Sequence, residues 1–478
     1  MKDFTNLHKR ILIKLSLIFL FFTPLISKSQ ENKLVYDAVK EVFIVKFNKG
    51  DYSGIYSLFD DAFRNKISEK VLVNFLKGNQ NSGRILNSSL QSVEKDKFVY
   101  LLEFELREML MDIQLNEKKQ IRSFGLRNVS PLYLTDAPAV QTNNLKKTAI
   151  DQAVDSAARE YFKFANATSL SIGIIKNGKK YEYYYGETTK GNGKIPDAET
   201  LYEIGSITKT FTATLLAQAV LDKKLNLHDD IRKYLPSLFS NLSFKDTPIT
   251  FQSLANHTSR LPALPADIGD KPNYNPVSPE AHYDSSMFYQ ALQKVVLDTI
   301  PGHTFLYSNW GIALLGHILE NIYKQTQSDL IARYITTPLG MRNTFYLENI
   351  GSKKVALPHS ENGKTLIITD QGYFDPAGGL CSTLPDMLRY LEAQLQEQNP
   401  AIRLTHTPTA NNMGLGWGVR TIEGKRDFQH NGSEQGSTAH ISGFPDNQGG
   451  CVILINNKIN AGKLINSIQA IVRSKAYE

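Results

Sequence analysis

Three short groups of residues in this chain of 478 carry side chains that could do chemistry together. The first is Gly205-Ser206-Ile207-Thr208-Lys209, followed at once by a helical apolar pattern at Phe211, Leu215, Leu216 and Val220. That pattern places Ser206 at a helix N-terminus and Lys209 one turn on, facing the same way. A serine hydroxyl is a weak nucleophile until a base takes its proton, and an adjacent lysine made neutral by burial can help. The helix dipole and the free amides of the first turn favour negative charge beside Ser206. The spacing alone says little. Ser92-Val93-Glu94-Lys95 shares it and reads as a strand end, and a lone Ser206 would be an ordinary helix cap with a solvated lysine after it.

The second group is Tyr307-Ser308-Asn309, preceded by Pro301-Gly302 and followed by an apolar helix from Ile312 to Ile318. A tyrosine beside a cationic lysine gives up its proton more readily and can serve as a base. The amide of Asn309 can hold both a lysine and a substrate carbonyl. The third is His430-Asn431-Gly432, leading into Ser433. A glycine there lets a substrate lie flat against a strand edge. Taken singly, Tyr307 is a packed aromatic and His430 a polar residue at a strand end.

Together the three resemble the serine β-lactamase and penicillin-recognising family, in particular the class C β-lactamases, DD-peptidases and related esterases. That family orders its motifs as Ser-x-x-Lys, Tyr-x-Asn and Lys/His-x-Gly, as here. Leu254-Ala255-Asn256-His257-Thr258-Ser259, Pro338-Leu339-Gly340-Met341, Ala377-Gly378-Gly379-Leu380 with Ser382-Thr383, and Gly414-Leu415-Gly416-Trp417-Gly418 are similar to the family as well. The resemblance covers roughly residues 150–475. One departure is Arg260, where the family usually places glycine; that turn reads as structural. The class A signature Ser-Asp-Asn is missing from the second motif, and no Gly-x-Ser-x-Gly elbow occurs.

The resemblance implies an α/β sandwich with the site between an antiparallel sheet and an all-helical region. It implies that Ser206 forms an acyl-enzyme and that Lys209 and Tyr307 share the role of base. Asn309 would orient Lys209 and the substrate, and the backbone N–H groups of Ser206 and Ser433 would form the oxyanion hole. A lysine in place of His430 would offer a β-lactam carboxylate a permanent charge, whereas histidine is largely neutral near pH 7. The expected substrate is therefore a peptide, amide or ester carbonyl, as for DD-peptidases, D-aminoacyl peptidases and esterases. True class C β-lactamase action is the alternative, and an inactive binder of cell-wall fragments is a second.

The remaining sequence shows what must position these residues. Residues 1–14 carry Lys2, Lys9, Arg10 and Lys14 against Asp3, an apolar run follows from Leu15, and Ser27-Lys28-Ser29-Gln30 ends it. This has the form of a secretory signal peptide, 1–29, shorter than the roughly 20 apolar residues of a membrane span and broken by Pro24. An exported protein, periplasmic or secreted, is expected, with no stable membrane anchor after cleavage. The formal charge of +7, from 54 bases and 47 acids, falls to +3 once Lys2, Lys9, Arg10, Lys14, Lys28 and Asp3 are removed. The basic excess thus belongs mainly to the export segment, and no feature supports nucleic-acid binding.

Residues 30–128 read as a small α+β domain. Val35, Ala38, Val39, Val42 and Phe43 have helical spacing, as do Ile55, Leu58, Phe59 and Phe63, and Ser68 is placed to cap a further helix. Leu102, Phe104 and Leu106, then Met111, Ile113 and Leu115, alternate as strands about a turn at 116–119. Helices followed by an antiparallel sheet resemble the cone-shaped domains of the nuclear-transport-factor-like class. Residues 129–147, with Pro131 and Pro138, read as a linker. The larger domain, 148–478, should draw one antiparallel sheet from both its ends. Asn177-Gly178 joins a hairpin near the start, and 451–455 is a buried strand before a helix at 459–472. The ten histidines show no metal-ligand spacing, and no cofactor is expected. Cys381 and Cys451 leave two readings open, a bridge, which an exported chain permits, or free thiols, the reading favoured by the place of Cys451 in a buried strand.

Overall fold

Asn177 and Gly178 both adopt left-handed backbone angles, φ 48° and 75°. They form the tight turn that such a pair favours. The turn joins β5 (Ser169–Lys176) to β6 (Lys179–Gly186) in register from Ser169–Gly186 to Lys176–Lys179. This is a computed structural model, and it describes residues 28–235, 239–271 and 273–477. The expected export signal lies outside these residues except for Lys28 and Ser29, which begin the first helix.

The chain divides into two units, residues 28–104 with 109–128, and residues 105–108 with 129–477. In the first, α1 (Lys28–Asn48), α2 (Tyr52–Tyr56), α3 (Asp61–Arg64) and α4 (Glu69–Gly78) precede β1 (Ile85–Glu94), β2 (Lys97–Phe104), β3 (Glu108–Leu115) and β4 (Ile121–Asn128). The four strands form one sheet in chain order. Alternation explains the core: Leu102, Phe104, Met111 and Ile113 point inward onto Phe43, Phe47, Ile55, Phe59 and Leu76. Asn48 ends α1 and ties it to the sheet, since its amide both donates to Ile85 O and accepts from Ile85 N, at 2.9 and 2.8 Å. Ser68 occupies the N-cap of α4, but its side chain makes no capping bond.

In the second unit β9 (Gly418–Ile422), β10 (Lys425–Ser433), β11 (Thr438–Phe444), β12 (Gly449–Ile455), β5 and β6 form a six-stranded antiparallel sheet in that order. Both ends of the unit therefore supply the sheet. β12 is buried along its whole length because helices cover both faces. Cys451, Ile453 and Ile455 meet α5 (Ala149–Tyr161) and α10 (Gly462–Arg473). Val452 and Leu454 face the other way, into a core shared with α9 (Leu384–Gln396) and the helical region. A short strand β7 (Leu201–Glu203) pairs with β8 (Leu380–Thr383) beside this sheet. Two helices organise the helical region, α6 (Thr208–Leu221) and α7 (Asn309–Tyr323). They are buried on nearly every face, not along one stripe, as befits helices at the centre of a large unit.

Residues 129–147 are laced onto the second unit rather than hanging between elements. Leu134 N donates to Lys163 O at 2.7 Å, Gly186 N to Gln141 O at 2.9 Å, and Asn144 Nδ2 to the Tyr185 hydroxyl at 2.7 Å. Both cysteines are buried and unbridged. Among the described residues, no helix is long and apolar enough to cross a membrane, and no group of three metal-ligating side chains gathers.

Gly316 lets α7 pass close to α8 (Asp375–Gly378), because a Cβ there would overlap the Pro376 ring. Gly316→Ala should lower the thermal unfolding midpoint, with an overpacking cost of roughly 1–3 kcal/mol. A midpoint equal to wild type would show that this contact yields freely.

Candidate active site

The site begins with a glycine. Gly205 has φ 49°, and a Cβ there would lie 2.7 Å from Ser433 N and 3.0 Å from Glu434 Oε1. Only a bare Cα lets the turn before α6 press against the end of β10. Gly205–Ile207 is a single 3₁₀ turn running into α6, so Ser206 and Lys209 stand one turn apart on one face. The Lys209 ammonium donates to Ser206 Oγ at 2.7 Å and to the Ala377 carbonyl at 2.7 Å. Its side chain is fully buried.

Tyr307 arrives from the loop before α7, and its hydroxyl donates to Ser206 Oγ at 2.7 Å. Lys209 Nζ lies 4.9 Å from the centre of the Tyr307 ring. The mount for this tyrosine is the segment Leu254–Ser259. Leu306 N donates to His257 O at 2.7 Å, Ser308 N donates to His257 Nδ1 at 3.2 Å, and the two rings lie 4.5 Å apart. Burial, and then the Lys209 charge, push the His257 imidazole well below its ordinary range, so it is a neutral acceptor. Ser308 caps α7 by accepting from Gly311 N at 2.8 Å. Arg260 also gains an account here. It takes the left-handed φ of 68° that favours glycine, and its guanidinium grips Asp298 at 2.8 and 2.6 Å.

Asn309 departs from the expected arrangement. It opens α7, but Lys209 bonds to the Ala377 carbonyl, and Asn309 Oδ1 is buried without a hydrogen-bond partner. A buried amide oxygen left unpaired is costly, and a donor brought by a substrate would relieve it.

On the sheet side, Gly432 is obligatory, because a Cβ there would overlap the Ile204 carbonyl oxygen. His430 Nδ1 lies 2.7 Å from Asn431 O. Burial first, and the Lys209 charge second, hold its pKa down to about 3, so the ring is neutral at physiological pH. Ser433 Oγ accepts from Lys458 Nζ at 2.6 Å. The structure thus brings Ser206, Lys209 and Tyr307 into direct contact. It sets Gly432 and Ser433 against the turn that carries Ser206.

Behind this turn lies a buried acidic group that the motifs do not announce. Glu203 accepts from Thr369 N at 2.5 Å and from the Ser437 hydroxyl, and Glu434 accepts from Gln371 Nε2 at 2.7 Å. Burial raises the pKa of both carboxyls, and raises Glu280 to about 7. The available signal was Glu203 itself, an acid inside the apolar run Leu201-Tyr202-Glu203-Ile204, two residues before the turn.

A sequence profile of the family described as Beta-lactamase matches residues 154–471. The chain belongs to the Beta-lactamase family. Within this β-lactamase-fold serine-hydrolase family it is 29% identical over 281 residues to a beta-lactamase of Pseudomonas fluorescens, covering 56% of this chain and 74% of that protein. It is 28% identical over 285 residues to the D-alanyl-D-alanine-carboxypeptidase/endopeptidase AmpH of Escherichia coli K12, covering 57% and 70%. Among solved structures, an octameric penicillin-binding protein homologue from Pyrococcus abyssi superposes with a TM-score of 0.60 at 24% identity, over 68% of this chain and 77% of that one. A class C beta-lactamase gives a TM-score of 0.59 at 22% identity, over 70% and 98%. These structures show that the fold is that of the β-lactamase family.

The neutral state of His430 has a measurable consequence. Its Cε1 proton resonance should stay flat between pH 5 and 8, and a midpoint near 6.5 would contradict the burial described. An unfolded imidazole takes up its proton near 6.5, whereas the folded one waits until about 3. The stability contribution is therefore full above about 6.5 and declines as pH falls toward 3.

Proposed function

We propose that this chain is an exported serine hydrolase that cleaves a peptide, amide or ester carbonyl through an acyl-enzyme on Ser206. The convergence of Lys209 Nζ and Tyr307 OH on Ser206 Oγ, each at 2.7 Å, carries the reading. With one member of the pair deprotonated, Lys209 as the amine or Tyr307 as the phenolate, Ser206 Oγ attacks the carbonyl carbon while its proton passes to that base. The tetrahedral oxyanion lies against the N–H groups of Ser206 and Ser433, an arrangement worth several kcal/mol in such reactions (about 2.7–4 per donor). Collapse expels the amine or alcohol, which takes the proton back from the pair. Water then attacks the ester by the same route and frees Ser206. Asn309 orients the substrate through its side-chain amide.

Neutral His430 favours peptidase or esterase action over β-lactamase action. A lactam carboxylate gains no charge from it. The peptidase reading also agrees with the name of the Escherichia coli relative, the β-lactamase reading with that of the Pseudomonas protein. Residues 30–128 are proposed as a small domain of the nuclear-transport-factor-like class, supported by four helices preceding a four-stranded sheet. The leader 1–29, the segment 129–147 and the hydrolase domain 148–478 complete the proposed organisation.

A covalent serine-hydrolase probe should label wild type but not Ser206→Ala, and Ser206→Ala should lower hydrolysis by about 10⁴-fold or more. Equal labelling of both would remove Ser206 from the mechanism, and no labelling of wild type would favour an inactive binder. Tyr307→Phe and Lys209→Met should each reduce kcat by roughly 10²–10⁴-fold. Across a D-Ala-D-Ala peptide, a short nitrophenyl ester and a chromogenic cephalosporin, the cephalosporin should be the poorest substrate. Its fastest turnover would establish the β-lactamase alternative.

A further inference from the structure

Gln394, near the end of α9, has no hydrogen-bond partner at either end of its amide. Its Oε1 and Nε2 are both buried and unpaired, and no other side chain among the described residues leaves two such atoms. The residue is wholly withdrawn from solvent. A buried acceptor and a buried donor are both costly to leave dry.

Gln394 lines a cavity of about 180 Å³, with Thr214 of α6 and Tyr390 of α9 beside it. Those two hydroxyls are already engaged. Thr214 donates to Thr210 O at 2.8 Å, and Tyr390 shares a bond with Thr210 Oγ1 at 2.9 Å. Ile335, Leu339 and Ile402 supply apolar walls, and no charged side chain among the described residues lines the cavity. Ile335 belongs to Ala332–Thr336, a turn of π-helix in which Thr337 N donates to Ala332 O at 3.0 Å. Such wide turns are rare and occur most often at functional sites. A cavity of about 150 Å³ holds a molecule the size of benzene, so a small ring fits here.

We propose that this cavity binds a small neutral molecule whose amide N–H and C=O lie on the same side, as in a cyclic amide. Gln394 Oε1 accepts from the ligand N–H while Nε2 donates to the ligand carbonyl, so one pair of bonds satisfies both orphaned atoms. The ring carbons face Ile335, Leu339 and Ile402. A charged ligand is disfavoured, because nothing in the lining offsets its lost hydration. Water could serve the amide but would gain nothing from the apolar walls. Thr214 stands five residues beyond Lys209 on α6, and no residue of the three motifs lines the cavity. The site therefore stands apart from the reading of Ser206 as nucleophile.

The test is calorimetric titration of the full chain with δ-valerolactam and with N-methyl-δ-valerolactam, which lacks the N–H. Wild type should bind the first saturably and about tenfold or more tighter than the second, the scale of a lost hydrogen bond that leaves a buried acceptor unpaired. The lactam should also raise the unfolding midpoint. Gln394→Leu, similar in volume and free of the orphaned amide, should bring the two ligands within about twofold. Leu339→Trp, which fills the cavity, should abolish binding of both. Ser206→Ala should keep the preference, which separates this cavity from the candidate active site. Absence of saturable binding to wild type leaves the amide to water alone and overturns the site. So does a preference that survives in folded Gln394→Leu or in folded Leu339→Trp, or one that is lost in Ser206→Ala.

Discussion

A buried ammonium can persist only where oxygen atoms meet it, and Lys209 sets that condition for the whole centre of the hydrolase unit. Its partners come from places far apart in the chain. Ser206 lies one turn back, in the 3₁₀ turn that runs into α6, and Ala377 O is offered by the end of a short helix. Around them α6 is buried on almost every side, so its polar residues need partners too. Thr212 donates to Pro376 O at 2.7 Å, and Thr210 pairs with the Tyr390 hydroxyl at 2.9 Å. The segment 376–377 thus serves two side chains of α6 through successive carbonyls, and Gly316 of α7 permits its approach. The catalytic-looking contact and the packing of the helical region are one arrangement.

Local physics made part of this legible. Ser206 and Lys209 are three residues apart, and a helix of known pitch brings them together. Asn177-Gly178 specifies its own turn, and the period-two runs around Leu102 and Met111 specify which side chains face a core. The sheet drawn from both ends of the large unit also followed from buried strands near each end. Arg260 was readable as structural, though its left-handed backbone and its grip on Asp298 were not.

Less legible were the interactions made by backbone atoms and by distant acids. Ala377 contributes a carbonyl oxygen, which every residue possesses, so no residue type marks it. Asn309 was expected to hold Lys209, and its amide oxygen instead faces the interior unpaired. Glu203 ends β7 and Glu434 follows β10, and they come together only where Gly205 brings the turn onto β10. Residues 129–147 lack any period, yet backbone hydrogen bonds hold them to the second unit. Aperiodic segments can be ordered by bonds that leave no pattern in side-chain type.

One seam of the sheet joins β5 to β12, with Ile174 opposite Cys451. Nearly the whole helical region lies between those strands in the chain. A ribosome must therefore finish almost all of the unit before these two strands can meet, and the nascent chain holds one edge of β5 unpaired throughout, with β6 on the other. Ser206 belongs to the early part and Ser433 to the late part. Chains cut short in synthesis lack the strand that completes the surroundings of Ser206. In this fold the surroundings of Ser206 are completed last, together with closure of the sheet.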